Sequence, residues 1–463
     1  MKKGLRTQRC LFKSMVHGPW STVLFFLLAP GPLFAKNLIP ALAQEGLPKW
    51  EQPKVEKQEL PNGFRFYTLT DHALPLFRAT LFIETGQAYA PYQKSGLADL
   101  TSTLLVTGGT RTKEPRALDE WVEERAITVW SGTGRELTTL HVSALAHQWK
   151  DALEILREVC LEPRFDAKRF DLAKRRFLEE LRREEDHPNS VLSRAFQTAL
   201  YGKKHPWGHL PTPRSLRRIK REDLTAFYEK YFHPNRMVLT VAGDFSPSQV
   251  KKWAVENFQE LKKTEIPDSE WKIEPFKNKP RTQKIRKKVN QVFLEMGHWG
   301  LTRHQEERYA YGLLQYILGG DAFTSRLGKD IRTARGLAYS VYSDWEATPA
   351  RGHFKIHVET KAESAEEVRQ AIIEHLNRLH EKADITPEEL EGAKEALLNQ
   401  YIFWFDSPFE IVNTRAKLDL LGFPRRYLEE YPEKIKGVTL EKLKETAKKY
   451  IEPKRLTFVT VSP

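Results

Sequence analysis

Cysteine is nearly absent. Cys10 and Cys160 are the two in 463 residues. That excludes a disulfide framework, so stability has to come from packed cores. Cys160 stands in LREVCLEP, an apolar helix end, where a thiol reads as a buried structural group rather than a nucleophile. Long apolar runs are also missing after the first fifty residues, and nothing there reads as a membrane span. A concentrated basic stripe is lacking too. Lysines and arginines alternate with acids, as in LAKRRFLEELRREED, which is the pattern of solvated helix faces and not of a nucleic-acid interface.

What is present begins with the N-terminus. Lys2, Lys3, Arg6, Arg9 and Lys13 precede the short apolar core VLFFLLA, Val23 to Ala29. Ala41-Leu42-Ala43 follows as a small-x-small cleavage site. Residues 1–43 therefore read as a secretory signal peptide cut after Ala43, which implies a periplasmic or secreted protein. An uncleaved anchor is the alternative, disfavoured because the apolar run falls short of a span. Cys10 lies before the apolar core and cannot be a lipoprotein cysteine. The formal charge is +13, but residues 1–43 hold six basic residues and no acid. The remainder has 68 basic against 61 acidic residues, a mild excess compatible with acidic partners or peptides.

The chain contains one unit twice. Asp186-His187-Pro188 matches Asp406-Ser407-Pro408, Ala173-Lys174 matches Ala393-Lys394, and Leu200-Tyr201-Gly202 matches Leu420-Leu421-Gly422, each at an offset of 220 residues. LTAFYEKYFHPNRMVLTVAG (Leu224 to Gly243) resembles LKETAKKYIEPKRLTFVTVS (Leu443 to Ser462) at an offset of 219. So long a period means a duplicated domain rather than a solenoid. Strands are expected near Arg78 to Thr85, Thr138 to Ala144 and Met237 to Ala242, and again near Gln291 to Met296, His353 to Thr360 and Leu456 to Val461. Long helices fill the intervals, the last ending at Tyr231 and Tyr450. Grouped strands with long helices predict an α+β class. The expected boundaries are 44–262 for the first domain, 263–284 for a charged, proline-bearing linker, and 285–463 for the second domain.

Ser95 to Thr110, SGLADLTSTLLVTGGT, predicts a helix capped by Ser95 and ended by Gly108-Gly109. Leu97, Leu100, Leu104 and Leu105 share one face, and Asp99, Ser102 and Thr103 lie opposite. This frame resembles the zinc helix of the pitrilysin/insulinase metallopeptidases, the inverzincins, whose motif is H-x-x-E-H. Asp99, Ser102 and Thr103 occupy the three motif positions, and Glu180 matches the family's later glutamate ligand. The resemblance thus implies a zinc-free member, because a carboxylate with two hydroxyls is a poor zinc site. His353 with His357 on one strand face, and His205 with His209 in one loop, read as structural rather than as a substitute metal site.

The resemblance covers nearly the whole mature chain. His205 to Phe245 is similar to the family's first-domain ending, and Leu313 to Ser343 to its second-domain signature. It implies two homologous domains, each an antiparallel-rich sheet with packed helices, forming half of a clamshell that closes over an unfolded peptide. Arg332 and Tyr339, seven residues apart, match the family's substrate-binding and oxyanion-stabilising pair. Arg326 and Arg335 lack that spacing to Tyr339. On residue type alone, Arg332 could equally pair with an acid and Tyr339 fill a core edge.

The implied function is that of a non-catalytic subunit in a heterodimeric peptidase, with zinc held by an H-x-x-E-H partner chain. A purely structural or peptide-binding role and a solitary peptidase with another site stand as alternatives, the last without a Ser-His-Asp pattern to support it. The chain is expected to hold no metal itself. Purified, chelator-washed protein assayed by atomic emission should carry far less than stoichiometric zinc; a full equivalent would overturn the reading.

Overall fold

A computed structural model of the chain describes residues 54–265 and 280–463. The expected signal peptide 1–43 and most of the expected linker lie outside the described residues. Eleven described strands form two sheets. In the first half these are β1 (Glu56–Glu59), β2 (Arg65–Thr70), β3 (Leu76–Ile83), β4 (Thr128–Thr133), β5 (Thr138–Leu145) and β6 (Met237–Gly243). The second half holds β7 (Thr282–Arg286), β8 (Val292–Trp299), β9 (Ala338–Glu346), β10 (His353–Thr360) and β11 (Thr457–Ser462).

The sheet orders are β1-β2-β6-β3-β5-β4 and β7-β11-β8-β10-β9. Apart from β1 they are the same topology. In each, the final strand inserts between the first strand, which it pairs in parallel, and the next, which it pairs antiparallel. The α+β class and the two homologous halves therefore stand as expected. The helices at Arg221–Tyr231 and Leu440–Tyr450 end where the sequence pattern placed them. A correction concerns the linker: residues expected in 263–284 include the start of β7, at Thr282. Its pattern TQKIR is almost wholly exposed. As an edge strand it is held by backbone pairing to β11, so no hydrophobic alternation announces it.

Three helices line the candidate site, and a fourth is the second-half counterpart of one of them. They are α1 (Leu97–Thr107), α2 (Ala167–Asp186), α3 (Pro188–Tyr201) and α4 (Pro408–Leu420). Leu97, Leu100, Leu104 and Leu105 of α1 are buried in the first core with Leu81, Leu140 and Val142. Each buried leucine contributes roughly 1.5–3 kcal/mol. α2 ends at Asp186, and Pro188 opens α3 at a first helical position, where a missing N–H costs nothing. Ser407 and Pro408 open α4 in the same way, with the Ser407 hydroxyl accepting from Glu410 N.

These last two helices are exchanged. α3, from the first half, packs Leu192, Phe196 and Leu200 against Phe293, Val459 and Val461 of the second sheet. α4, from the second half, packs Val412 and Ala416 against Tyr67, Phe82 and Val238 of the first. Polar contacts follow the exchange. Trp299 Nε1 donates to Leu200 O at 3.1 Å, and Thr240 Oγ1 meets Asn413 Oδ1 at 2.6 Å. Arg303 pairs with Glu136 through two bonds, one of them 3.0 Å, with both side chains largely buried.

Arg303→Met leaves Glu136 buried without a counter-charge. We expect a loss of about 3–5 kcal/mol in urea unfolding, partly recovered by adding Glu136→Gln.

Candidate functional site

Gly96 adopts φ +101°, and α1 starts immediately after it. This corrects the expected cap. The Ser95 hydroxyl donates to Tyr92 O at 2.9 Å, and Ser95 O accepts from Ser215 Oγ at 2.8 Å. The glycine turn carries the chain into the helix, so the serine is free to fasten the preceding loop.

Asp99, Ser102, Thr103 and Glu180 line one cavity of about 470 Å³ between α1, α2 and β4. The structure therefore brings together all four positions singled out in sequence. Their environments differ. Ser102 is 3 % exposed, Asp99 is half-buried, and Thr103 and Glu180 are exposed. Ser131 of β4 donates to Ser102 O at 3.0 Å, tying the helix to the sheet edge.

Gln87 Nε2 donates to Asp99 Oδ1 at 2.8 Å. Gln87 is itself fixed on two sides. Its N–H donates to Gly134 O at 2.9 Å, and its carbonyl contacts His209 Nε2 at 3.2 Å. Gly86 permits this approach, since a Cβ there would stand 2.5 Å from Gly134 O. Asp99 Oδ2 is buried with no partner among the described residues, as are Ser102 Oγ and Thr133 Oγ1. Burial pushes the Asp99 carboxyl above the usual carboxylate range, opposed by the bond from Gln87 and the nearby charge of Arg135.

Zinc does not fit this donor set. It offers no imidazole or thiolate, its two hydroxyls are neutral, and Thr103 and Glu180 face solvent. Among the described residues, no group of three His, Cys, Asp or Glu side chains is placed to hold a metal ion. The histidine pairs have structural partners instead. His353 Nδ1 meets Tyr201 OH at 3.1 Å, and His205 Nδ1 accepts from Trp207 N at 3.1 Å. Burial lowers His205 to about 4 and His353 to about 3. His357 is buried beside Glu295 and stacked on Tyr342. Cys160 is fully buried and its thiol is pushed up to about 12, the state of an inert thiol.

Arg332 and Tyr339 lie elsewhere, on a wide helical turn (Gly328–Ala334) and on the edge strand β9. Neither lines the cavity. Three arginines share this segment, and their partners separate them. Arg326 is bound by Glu389 and Asp384, with its Nε, Nη1 and Nη2 all engaged. Arg335 pairs with Asp330 at 2.8 Å. Arg332 stacks over Phe323 at 4.6 Å and has no carboxylate partner among the described residues. Tyr339 is 78 % exposed and Phe323 64 %. An acid-paired Arg332 and a core-edge Tyr339 are thus both ruled out.

Comparison with known families settles the lineage. A model described as "Insulinase (Peptidase family M16)" matches residues 67–214, and one described as "Peptidase M16 inactive domain" matches residues 218–397. The chain belongs to the M16 peptidase family. It is an M16 member of the zinc-free type, with H-x-x-E-H replaced. The chain is 26% identical over 394 residues to an "Uncharacterized zinc protease YmxG" of Bacillus subtilis, spanning 84% of this chain and 94% of the relative. A "Non-peptidase homolog YmxG" of Helicobacter pylori is 25% identical over 404 residues, 85% and 90% of the two chains. The fold matches a peptidase M16 inactive domain structure from Pseudomonas fluorescens with TM-score 0.78 at 24% identity, covering 89% of this chain and 98% of that one. It also matches the periplasmic protease PqqL of Escherichia coli with TM-score 0.73 at 16% identity, covering 90% of this chain and 47% of PqqL.

Gln87, Ser131 and Thr133 escaped the sequence reading. They reach the cavity through sheet pairing and a loop contact, and neither leaves a periodic signal. Because folding raises the Asp99 pKa, the protein is destabilised once the pH exceeds the unfolded carboxyl's value and Asp99 must ionise while buried. Asp99→Asn should therefore raise stability at pH 7, on the order of 1 kcal/mol in thermal or urea unfolding, and the gain should vanish near pH 3.

Proposed function

We propose that this chain is the non-catalytic subunit of a heterodimeric zinc peptidase, exported by its N-terminal signal and working in the periplasm. It binds unfolded peptides against a homologous partner that holds zinc on H-x-x-E-H. Arg332 and Tyr339 supply hydrogen-bond donors to the partner's site. One observation carries this reading: Tyr339 stands exposed and Arg332 half-buried against Phe323, neither engaged by an acid and both away from the chain's own cavity, while the neighbouring Arg326 and Arg335 are tied into local ion pairs.

The chemistry is suited to the role. Peptide hydrolysis develops negative charge on the carbonyl oxygen, and fixed donors aimed there lower the barrier. A guanidinium offers several N–H groups and a phenol one O–H. Stacking on Phe323 holds the Arg332 guanidinium plane without using its N–H groups, which leaves them for substrate. The partner supplies the metal; this chain supplies donors and peptide-binding surface. That the chain aligns with 47% of PqqL supports a half-sized subunit.

The test mixes this protein with a homologous H-x-x-E-H chain from the same organism and follows cleavage of an unfolded peptide. Hydrolysis should appear only in the mixture. Arg332→Ala and Tyr339→Phe should each lower kcat about 100-fold with unchanged thermal stability. Association without hydrolysis would favour a structural or peptide-binding role, and unchanged kcat in both variants would remove the roles assigned to the pair.

A further inference from the structure

The mixing of basic and acidic residues that holds along most of the chain breaks between Lys203 and Arg221. Seven lysines and arginines stand there with no acid among them. This corrects the expectation that the chain carries no concentrated basic stretch. A short helix, Pro213–Arg218, gathers three of them. Arg214, Arg217 and Arg218, three and four residues apart, share one exposed face, while Ser215, Leu216 and Ile219 turn into the core. None of the three has an ion-pair partner among the described residues, and like charges at this spacing repel. Exposed Lys220 and Arg221 extend the face, and Arg221 meets its neighbour Glu222 at 3.9 Å. Asp223 is taken by Lys94. The duplication offers an internal comparison. At the offset of 219, Pro213, Leu216 and Ile219 match Pro432, Ile435 and Val438, the last two again buried. The positions of Arg214, Arg217 and Arg218 are held there by Glu433, Lys436 and Gly437, and Lys436 pairs with Glu433 at 2.9 Å. Lys220 and Arg221 match Thr439 and Leu440. The fold thus needs the buried positions and not the charge.

We propose that this basic face binds acidic segments of unfolded peptides. The proposal rests on the reading that the chain binds peptides, and it names the class of sequence the chain prefers. Guanidinium groups pair with carboxylates through two parallel N–H bonds, which suits arginine better than lysine to this task. Helix residues three and four apart stand roughly 5–6 Å from one another. Alternate side chains of an extended peptide stand roughly 7 Å apart on one face, within reach of such long side chains. The face is held in place from beneath: Lys174 of α2 donates to Arg217 O at 3.1 Å and to Ile219 O at 2.6 Å. It also adjoins the candidate site. Leu210 and Pro211 line the cavity and lead directly into the basic helix, and exposed Arg176 lines the same cavity without an ion pair among the described residues. A lipid surface fits less well, because Leu216 and Ile219 are turned into the core and leave this helix nothing apolar to insert. Self-repulsion on one helix face is a cost to the fold that an anionic partner offsets.

The test is fluorescence anisotropy of the isolated full chain with a fluorescein-labelled peptide of alternating serine and glutamate. The same peptide with glutamine for glutamate is the uncharged comparison. We expect saturable binding of the glutamate peptide, at least tenfold tighter than the glutamine peptide and weakening as sodium chloride is added. The triple variant Arg214→Gln, Arg217→Gln, Arg218→Gln should lose tenfold or more. Removing the same charge elsewhere, with Lys251→Gln, Lys252→Gln and Lys448→Gln, should change affinity less than twofold. The arginine variant should melt no lower than the unaltered protein, so its loss of binding is not loss of folding. Equal affinity for the glutamine peptide, no saturable binding, an unaffected arginine variant, or an equal loss in the lysine variant would each overturn the proposal. Phosphatidylglycerol vesicles and a single-stranded oligonucleotide are titrated alongside, and preference for either over the glutamate peptide would overturn the peptide assignment. No partner chain or hydrolysis enters this assay. Acidic-peptide binding with no hydrolysis in the two-chain mixture would sink the subunit reading alone, and hydrolysis without acidic preference would sink this one alone.

Discussion

Each sheet depends on the opposite half of the chain to cover its second face. The first faces are packed by local helices, α1 among them, around separate cores. The second faces carry Phe82, Val238 and Ala242 in one half and Phe293, Val459 and Val461 in the other. An antiparallel sheet can leave one face in water only when that face is polar. Here it is not, and α3 and α4 cross over to close both. The duplicated Asp-x-Pro signals at the starts of these helices are the same solution used twice. The exchange fixes how the halves are oriented, and the buried Arg303–Glu136 pair lies within that arrangement.

Within this frame, packing and chemistry separate on a single helix. The leucine face of α1 is bound into the core and would be needed in any member of the family. The opposite face meets the cavity and can change without disturbing the core. Asp99, Ser102 and Thr103 therefore report a change of chemistry on an intact scaffold. The scaffold nonetheless bears a cost, because a half-buried carboxylate with one unbonded oxygen disfavours its own ionisation.

The second half presents the complementary case. Arg326, Arg332 and Arg335 are alike in sequence, and only their neighbours tell them apart. Two are consumed by carboxylates that hold the fold together, and the third is braced on an exposed ring. Tyr339 stands beyond the core because β9 is an edge strand. Residues free to meet another molecule are thus identified by what they do not bind.

Much of the architecture was legible in the linear sequence. The 220-residue offset, the leucine spacing of α1 and the proline turns before β6 and β11 are local signals, set by helix and strand periodicity. They sufficed for two α+β repeats; the empty motif of Asp99, Ser102, Thr103 and Glu180 was legible only through the resemblance of that frame to the family's zinc helix. The edge strand β7 and the glycine start of α1 were misjudged, since a charged edge strand lacks alternation and a serine before glycine looks like a cap. The exchange of α3 and α4, the meeting of Gln87 and Thr133 at the cavity, and the fate of three similar arginines were decided only in three dimensions. Each depends on side chains far apart in the chain, whose proximity follows from which surfaces must be taken out of water and not from any pattern of neighbouring residues.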